Sequence, residues 1–218
     1  MSFDRKKYLI TSGLCDFNRS PAIRRKAMQV TTGARNRRQR FDRIFACVKE
    51  LQYGLEDWDV KASTTLRKGW GMCSGKTNLL VALLRSIGIP ARYRIYSLKA
   101  DNALWEYLDD KDSTAGLIGK LSDTRDHVDC EVWLGKWVDC DPGRDSDMEK
   151  GMVKLGLTLE RHKVADAGGK VLYTRLANFD EWAKDRQKRR TFRSDRIDAF
   201  RRVNADFEKL RKLGKSAT

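Results

Sequence analysis

The sequence predicts an α+β fold in which one buried helix packs on an antiparallel sheet. A mostly apolar run, Leu79–Ile87, has the composition of a buried helix and is terminated by Gly88 and Pro90. Residues 91–98 and 128–140 have the alternating, aromatic-rich pattern of β-strands, and the second segment has the pattern of a hairpin. A hydrophobic content of 40% over 218 residues is sufficient for one core.

The charge is distributed unevenly along the chain. Residues 1–50 carry 13 Lys and Arg against 4 Asp and Glu, residues 180–218 carry 13 against 7, and residues 51–179 carry 19 against 19. We therefore divide the chain into a basic N-terminal helical segment (1–50), a core (51–179) and a basic C-terminal helical extension (180–218), all within one compact domain. The basic ends favour an acidic partner, although a solvated cationic surface explains them equally well.

Further elements follow from the spacing of apolar residues. Helical spacing from Phe41 to Leu51 predicts a helix after the basic run 35–40, and residues 66–73 form a glycine-punctuated loop before the buried helix. The segment between Val164 and Val171 is predicted to be the turn of a second hairpin. Beyond residue 180 the chain is predicted to be helical, with one apolar face that contains Ile197, Phe200, Val203, Phe207 and Leu210.

Composition excludes several classes of protein. A charged fraction of 34% and a mean hydropathy of −0.64 exclude a membrane span. The five cysteines form no CxxC pair and follow no secretory apolar region, so we expect a reducing, cytoplasmic compartment with at least one free thiol. With only His127 and His162 available, the usual structural zinc spacings cannot be assembled. We expect no metal and no cofactor.

Cys73 lies where the glycine-punctuated loop enters the buried helix. The unpaired N–H groups and the macrodipole of a helix N-terminus stabilise a thiolate, which is the nucleophilic form of cysteine. The same N–H groups can donate to an oxyanion that forms when the sulfur attacks an acyl carbon. A small cysteine that only packs at the start of a helix is the alternative interpretation.

His127 opens the hairpin 127–142 and supplies the general base that a thiol nucleophile requires. A three-residue loop at 134–136 places Trp133 opposite Trp137 and aligns the apolar residues of both strands on one face. His127 then shares the other face with the acids Asp129, Glu131, Asp139 and Asp141. This register does not decide which acid orients the imidazole, and a solvated strand face remains the alternative interpretation.

Three separated motifs resemble those of the transglutaminase-like superfamily, in the family's order and over roughly residues 50–145: 61–73, 79–92 and 127–142. The chain is most similar to small stand-alone bacterial and archaeal members. The resemblance implies a papain-like core in which the nucleophile, at a helix N-terminus, packs on an antiparallel sheet; the basic helical extensions lie outside the matched region. By motif position it implies Cys73 as the nucleophile, His127 as the base and Asp141 as the orienting acid, with Asp139 as the alternative orienter.

The resemblance further implies a thiol acyl-enzyme catalyst that attacks a peptide, amide or thioester and passes the acyl group to water or an amine. Such an enzyme is a cysteine protease, an amidase or an acyltransferase. Trp70 or Trp58 is the candidate second oxyanion donor through its indole N–H, and each is alternatively a core residue. The chain departs from the family's usual residues after the cysteine, at Ser74–Lys76, and after the histidine, at Val128-Asp129. These departures affect the expected shape of the pocket.

Two alternative functions would use the basic ends of the chain. An amide synthase could draw its acyl group from an acidic carrier-bound thioester or an acidic peptide precursor, which the basic ends would attract. A non-catalytic module could instead bind nucleic acid or an acidic protein through the arginine-rich ends. No recognisable nucleic-acid-binding motif supports this second alternative.

Overall fold

The computed structural model describes residues 4–99, 104, 107, 124–188 and 193–216. The helices are α1 (Pro21–Val30), α2 (Arg37–Lys49), α3 (Ala62–Lys68), α4 (Cys73–Ser86), α5 (Ser146–Lys154), α6 (Asp180–Lys188) and α7 (Arg193–Lys215), preceded by a 3-10 turn at Lys6–Tyr8. The strands are β1 (Gln52–Tyr53), β2 (Trp70–Gly71), β3 (Ala91–Lys99), β4 (Thr124–Trp133), β5 (Trp137–Cys140) and β6 (Thr174–Leu176).

Four strands form an antiparallel sheet in the order β5-β4-β3-β6, and β1 and β2 form a separate parallel pair. Trp133 pairs with Trp137 and Cys130 with Cys140, which confirms the predicted three-residue loop between β4 and β5. The predicted α+β fold, with a helix packed on an antiparallel sheet, is therefore confirmed. Strand β6 was not predicted, because its three residues, Thr174–Leu176, are too few to show an alternating pattern.

Helix α4 is the central element of the core. Nearly all its side chains are buried, and it ends before Gly88, which has the left-handed φ of +79°. Several of its polar side chains donate to carbonyl oxygens: the Thr77 hydroxyl donates to Val128 O at 3.0 Å, and the Asn78 amide donates to Leu14 O at 2.9 Å. The buried Ser74 hydroxyl is an exception and has no partner within the described residues. The predicted buried helix is confirmed, with Cys73 as its first residue.

Helices α1 and α2 pack on α4 through short apolar stripes. Ile23 and Ala27 of α1 are fully buried, and α2 buries Phe41, Ile44 and Val48, as its helical spacing predicted. The Asn36 side chain caps α2 by accepting from Gln39 N at 2.9 Å. Helix α1 lies within the N-terminal segment that was predicted to be helical, but its bounds were not predicted, since two inward positions in ten residues give a weak periodic signal.

Three predicted details differ in the structure. The segment expected to be a loop from residue 66 is helical up to Lys68, where Gly69 ends α3 with a φ of +75°. The expected hairpin between Val164 and Val171 forms one isolated bridge, between Ala165 and Val171, instead of two strands. The apolar face of α7 excludes Ile197, which is 49% exposed.

The remaining apolar face of α7 packs on α5 in a second cluster that contains Val203, Phe207, Leu210, Met148 and Met152. Within the described residues, no helix is both long and apolar enough to cross a membrane.

The carboxylate of Asp145 joins α7 to the elements around Cys73. Its Oδ1 caps α5 by accepting from Met148 N at 3.0 Å, and its Oδ2 accepts from Tyr53 N at 2.8 Å. Arg211 of α7 donates to the same Oδ2 from Nε at 3.0 Å and from Nη2 at 2.8 Å. One buried acid thus connects β1, α5 and α7.

Candidate active site

Cys73 lies at the N-terminus of α4 and is 3% exposed. The first hydrogen bond of the helix runs from Lys76 N to Met72 O at 2.9 Å, so the N–H groups of the residues between them have no partner within the helix. Buried Glu56 accepts from Met72 N at 2.9 Å and is ion-paired with Lys68. Glu56 thereby holds the turn that leads into Cys73.

Two glycines make room for that buried carboxylate. A side chain at Gly75 would collide with Glu56 Oε1, and a Cβ at Gly71 would lie 3.0 Å from the same oxygen. Packing against Glu56 therefore explains why both positions are glycine. The Glu56 carboxylate that they accommodate was not predicted from the sequence.

His127 of β4 lies opposite Tyr96 of β3, and the two rings make an edge-on contact with centroids 5.4 Å apart. The His127 Nε2 lies 2.9 Å from Oδ2 of Asp141, just beyond the end of β5. The Cys73 side chain is near enough to the same imidazole to contribute to its raised pKa. The structure therefore brings together Cys73, His127 and Asp141.

The imidazole and the Asp141 carboxylate form a charged pair. Burial is the largest single effect and would lower the pKa of His127. The charge of Asp141, its hydrogen bond and the contribution of Cys73 together outweigh burial and raise that pKa to about 9. Burial would raise the pKa of Asp141, but His127 and Arg161 hold it well below its usual range. At neutral pH the pair is imidazolium and carboxylate.

We expect the His127 ring to titrate near pH 9 rather than near 6.5. Since the folded pKa is raised, the pair's contribution to stability is fully present below pH 6.5 and is lost as the pH rises through about 9. The measurement is the pH dependence of the imidazole Cε1–H signal by NMR. The chain has only two histidines, and a variant that carries His162→Gln leaves His127 as the single signal.

His162 is exposed, as the sequence indicated, and its side chain is available for this replacement. As a control, Asp141→Asn is added to the His162→Gln variant. It should lower the midpoint of the His127 titration, because the carboxylate is the main cause of the raised pKa of that ring. A midpoint at or below 6.5 in the unaltered site would contradict the charged pair.

The turn that carries Asp141 is fixed from inside the protein by Lys76, one helical turn after Cys73. Gly143 N donates to Asp141 Oδ1 at 2.8 Å, and the buried Lys76 Nζ donates to Gly143 O at 2.7 Å. The same ammonium donates to Lys49 O at 3.0 Å and Leu51 O at 2.5 Å. Burial lowers the pKa of Lys76 to about 7. A lysine within an otherwise apolar helix is the sequence signal that could have indicated this role.

The other two candidate acids have different partners. Asp129 accepts from Arg94 Nε at 2.7 Å and from Arg94 Nη2 at 2.6 Å, and it also accepts from the Tyr96 hydroxyl at 3.0 Å. Asp139 is 58% exposed and is ion-paired with the same arginine. Of the two acids that the strand register left open, Asp141 is the one that contacts His127. The catalytic roles themselves stay predictions.

The two candidate tryptophans, Trp58 and Trp70, have different neighbours. Trp58 is 6% exposed and packs edge-on against Trp182, with ring centroids 5.2 Å apart. Trp70 lies in β2, and the Lys68 Nζ sits 3.8 Å from the centre of its ring. Their role as oxyanion donors stays a prediction.

Tyr53 is a site residue that sequence reasoning missed. It lies in β1 opposite Gly71, two residues before Cys73. Burial raises the pKa of Tyr53, and the neighbouring Cys73 raises it further, so the hydroxyl keeps its proton and is a donor. Because β1 contains only two residues, nothing in the sequence signals this position.

Arg161 is the second missed residue. Its Nη1 lies 2.6 Å from His127 Nε2 and forms an ion pair with Asp141. The sequence places it in an ordinary charged run, Glu160–Lys163, and no spacing pattern connects it with the hairpin. In the structure its guanidinium covers the pair on the outside, where the side chain is 21% exposed.

A polar cleft of about 330 Å³ adjoins the pair and is lined in part by Arg94, Arg161, Lys163 and Asp141. Donor atoms of His127, Asp129 and Asp141 lie within 4.8 Å of one another, the spacing that a metal ion would need. Both carboxylates are, however, already engaged by arginines. A divalent cation would have to displace these guanidinium groups, so the donor set does not favour a metal.

Comparison with known proteins gives three similarities. Residues 24–142 match the family model described as the Transglutaminase-like superfamily. An uncharacterized protein of Mycobacterium leprae is 28% identical over 99 residues, which is 45% of this chain and 31% of that relative. The crystal structure of a "Putative Cysteine Protease" from Cytophaga hutchinsonii aligns with a TM-score of 0.49 and 20% identity, over 82% of this chain and 53% of that one. The chain thus spans about a third of the curated relative and about half of the solved structure.

Proposed function

This chain belongs to the transglutaminase-like superfamily, and from that premise we propose that it is a thiol acyl-enzyme catalyst with Cys73 as nucleophile. Its substrate is an amide or a thioester, and the acyl acceptor is water or an amine. The observation that carries the proposal is the contact of His127 with Asp141 at 2.9 Å beside Cys73 at a helix N-terminus. A nucleophile, a base and an orienting acid in this arrangement have the parts that acyl transfer requires.

The first half of the reaction forms the acyl-enzyme. The Cys73 thiolate attacks the acyl carbon, and a new C–S bond forms as the carbonyl electrons move to oxygen. The His127 imidazolium then gives its proton to the departing nitrogen or sulfur, the carbon–leaving-group bond breaks, and a thioester on Cys73 remains. The raised pKa of His127, about 9, keeps this proton available at neutral pH.

The second half releases the acyl group. The neutral imidazole takes a proton from water or an amine, which attacks the thioester carbon and expels the Cys73 thiolate. Asp141 keeps the imidazole in one orientation through both halves and stabilises its charged form. Water gives the carboxylic acid and an amine gives a new amide, so access of water to the thioester decides between hydrolysis and transfer.

The oxyanion needs donors in both halves. The Cys73 N–H, which is free of intrahelical bonding, is the first donor. For the second we add the Tyr53 hydroxyl to the tryptophans Trp70 and Trp58, because Tyr53 stays protonated and lies near Cys73.

The test is intact-mass spectrometry after incubation with pooled acyl thioesters and peptide amides, with and without added amines. We expect an acyl adduct on the unaltered protein and none on Cys73→Ala. Loss of the adduct in water alone would identify a hydrolase, and loss only with an amine would identify a transferase.

The matched control is Cys47→Ala, which removes a half-buried thiol that lies inside α2, away from a helix N-terminus. This variant should form the adduct as the unaltered protein does. An adduct that persists in Cys73→Ala and disappears in Cys47→Ala would overturn the assignment of the nucleophile.

A further inference from the structure

The outer surface of α1 and α2, with the residues directly before each helix, carries a large net positive charge. Residues 19–43 contain eight arginines and one lysine against a single acid, Asp42. The inward positions of both helices are apolar and pack on α4. All the arginines therefore project outward from a fixed scaffold; we call them the arginine face, which consists of Arg19, Arg24, Arg25, Arg35, Arg37, Arg38, Arg40 and Arg43.

Every residue of the arginine face is exposed. Arg38 is paired with Asp42 at 2.8 Å, and Arg43 donates to the carbonyl of Thr32. The other six arginines form no ion pair with any residue in the described part of the chain. Of these six cations, Arg24, Arg25, Arg37 and Arg40 lie on the helices, and the other two lie directly before them. An anionic partner that binds there neutralises several positive charges at once.

We propose that the arginine face binds the phosphodiester backbone of a nucleic acid without reading its sequence. The guanidinium group presents a planar fork of donors that matches phosphate oxygens in a bidentate geometry, which lysine cannot do. Because α1 and α2 are packed on α4 and α2 is capped by Asn36, the cations are arranged before the partner arrives. Prearranged groups lose less conformational entropy on binding.

The shape and composition of the arginine face favour nucleic acid over an acidic protein. The four arginines of α2 lie in its first seven residues, which span about 10 Å, so their guanidinium groups can contact neighbouring phosphates. Protein–protein interfaces, by contrast, depend on apolar and aromatic anchors at their centre. On α1 and α2 the one large apolar side chain that is well exposed is Met28, at 58%.

This surface is separate from the proposed function. None of its residues belongs to the site around Cys73, so the proposal of nucleic-acid binding and the proposal of thiol catalysis can fail independently. Binding to nucleic acid would localise the catalyst rather than take part in acyl transfer.

The experiment is fluorescence anisotropy with labelled single-stranded RNA and duplex DNA of about 20 nucleotides, between about 50 and 200 mM salt. The test variant combines Arg24→Gln, Arg35→Gln, Arg37→Gln and Arg40→Gln, which avoids the two arginines with internal partners. The matched control combines Lys136→Gln, Lys170→Gln, Lys188→Gln and Lys212→Gln, which removes the same charge from exposed positions elsewhere. Thermal unfolding monitors the fold of both.

We expect the unaltered protein to bind, with an affinity that falls steeply as salt rises. The test variant should bind at least about tenfold more weakly and with a smaller salt slope, and the control should change by less than about threefold. Equal losses in both variants would show that only net charge matters, and no binding at the lowest salt would overturn the proposal outright. Polyglutamate of equal length that binds as tightly as nucleic acid would move the assignment to an acidic protein.

Discussion

Asp141→Asn should slow the formation of the acyl-enzyme about a thousandfold or more while the protein stays folded. The carboxylate accepts from the His127 Nε2–H, at 2.9 Å, and is the main cause of the raised pKa of that ring. An amide carries no charge to stabilise the imidazolium, and its NH₂ group can face Nε2 and favour the wrong tautomer. The rate is measured by rapid-quench mass spectrometry of the Cys73 adduct across the pH range.

The comparison variant for this prediction is Asp139→Asn. Asp139 is the alternative orienter, but its carboxylate is largely exposed and is paired with Arg94. We expect its replacement to change the acylation rate less than about threefold, since Arg94 keeps its two hydrogen bonds to Asp129 and the Asp139 carboxylate does not contact His127. A larger loss in Asp139→Asn than in Asp141→Asn would reverse the assignment of the orienting acid.

Asp145→Ala should destabilise the protein by about 3–5 kcal/mol, although the residue takes no part in the proposed chemistry. The side chains of Asp145 and Arg211 are 4% and 3% exposed, so removal of the carboxylate leaves a buried guanidinium whose remaining partners are the half-exposed Glu208 and the carbonyl of Tyr53. The substitution also removes the N-cap of α5 and the acceptor for Tyr53 N. We expect urea unfolding to show a lower midpoint, with part of the loss from the separation of α7 from α5.

Asp147→Ala is the matched control for this change, because it removes an acid two residues later in the first turn of the same helix. Its carboxylate is 34% exposed and lies 3.7 Å from Lys150 and 3.6 Å from Lys215, so the expected cost is below about 1 kcal/mol. Similar losses for the two variants would mean that the buried pair with Arg211 contributes no more than a surface ion pair.

The main elements of this fold could be predicted from local patterns. The buried helix, strand β3, the hairpin of β4 and β5, and helix α2 follow from apolar spacing and from glycine and proline punctuation. The length of the loop between Trp133 and Trp137 was also predicted correctly, since only that register places all the apolar residues on one face. Strand β6 was missed because its three residues are too few to show a period, and the bounds of α1 were not predicted because only two of its ten residues are buried.

Motif order in the sequence was sufficient to identify the family and to select Cys73, His127 and Asp141 as candidates. It did not reveal the groups that hold them. Glu56 and Lys76 support the turns around the candidate nucleophile and acid, whereas Tyr53 and Arg161 reach the site from segments with no recognisable motif.

Local sequence patterns thus establish which segments form the buried helix and the main strands, which faces are buried, and which residues can supply a thiol, a base and an acid. The packing of distant segments places Asp141 against His127 and Asp139 against Arg94, and it brings Arg161 over the charged pair. Local patterns and tertiary contacts depend on different distances along the chain. Periodicity encodes the direction of a side chain relative to its own helix or strand, but contacts between distant segments depend on distances of a few ångströms that are set by how the loops and layers pack together.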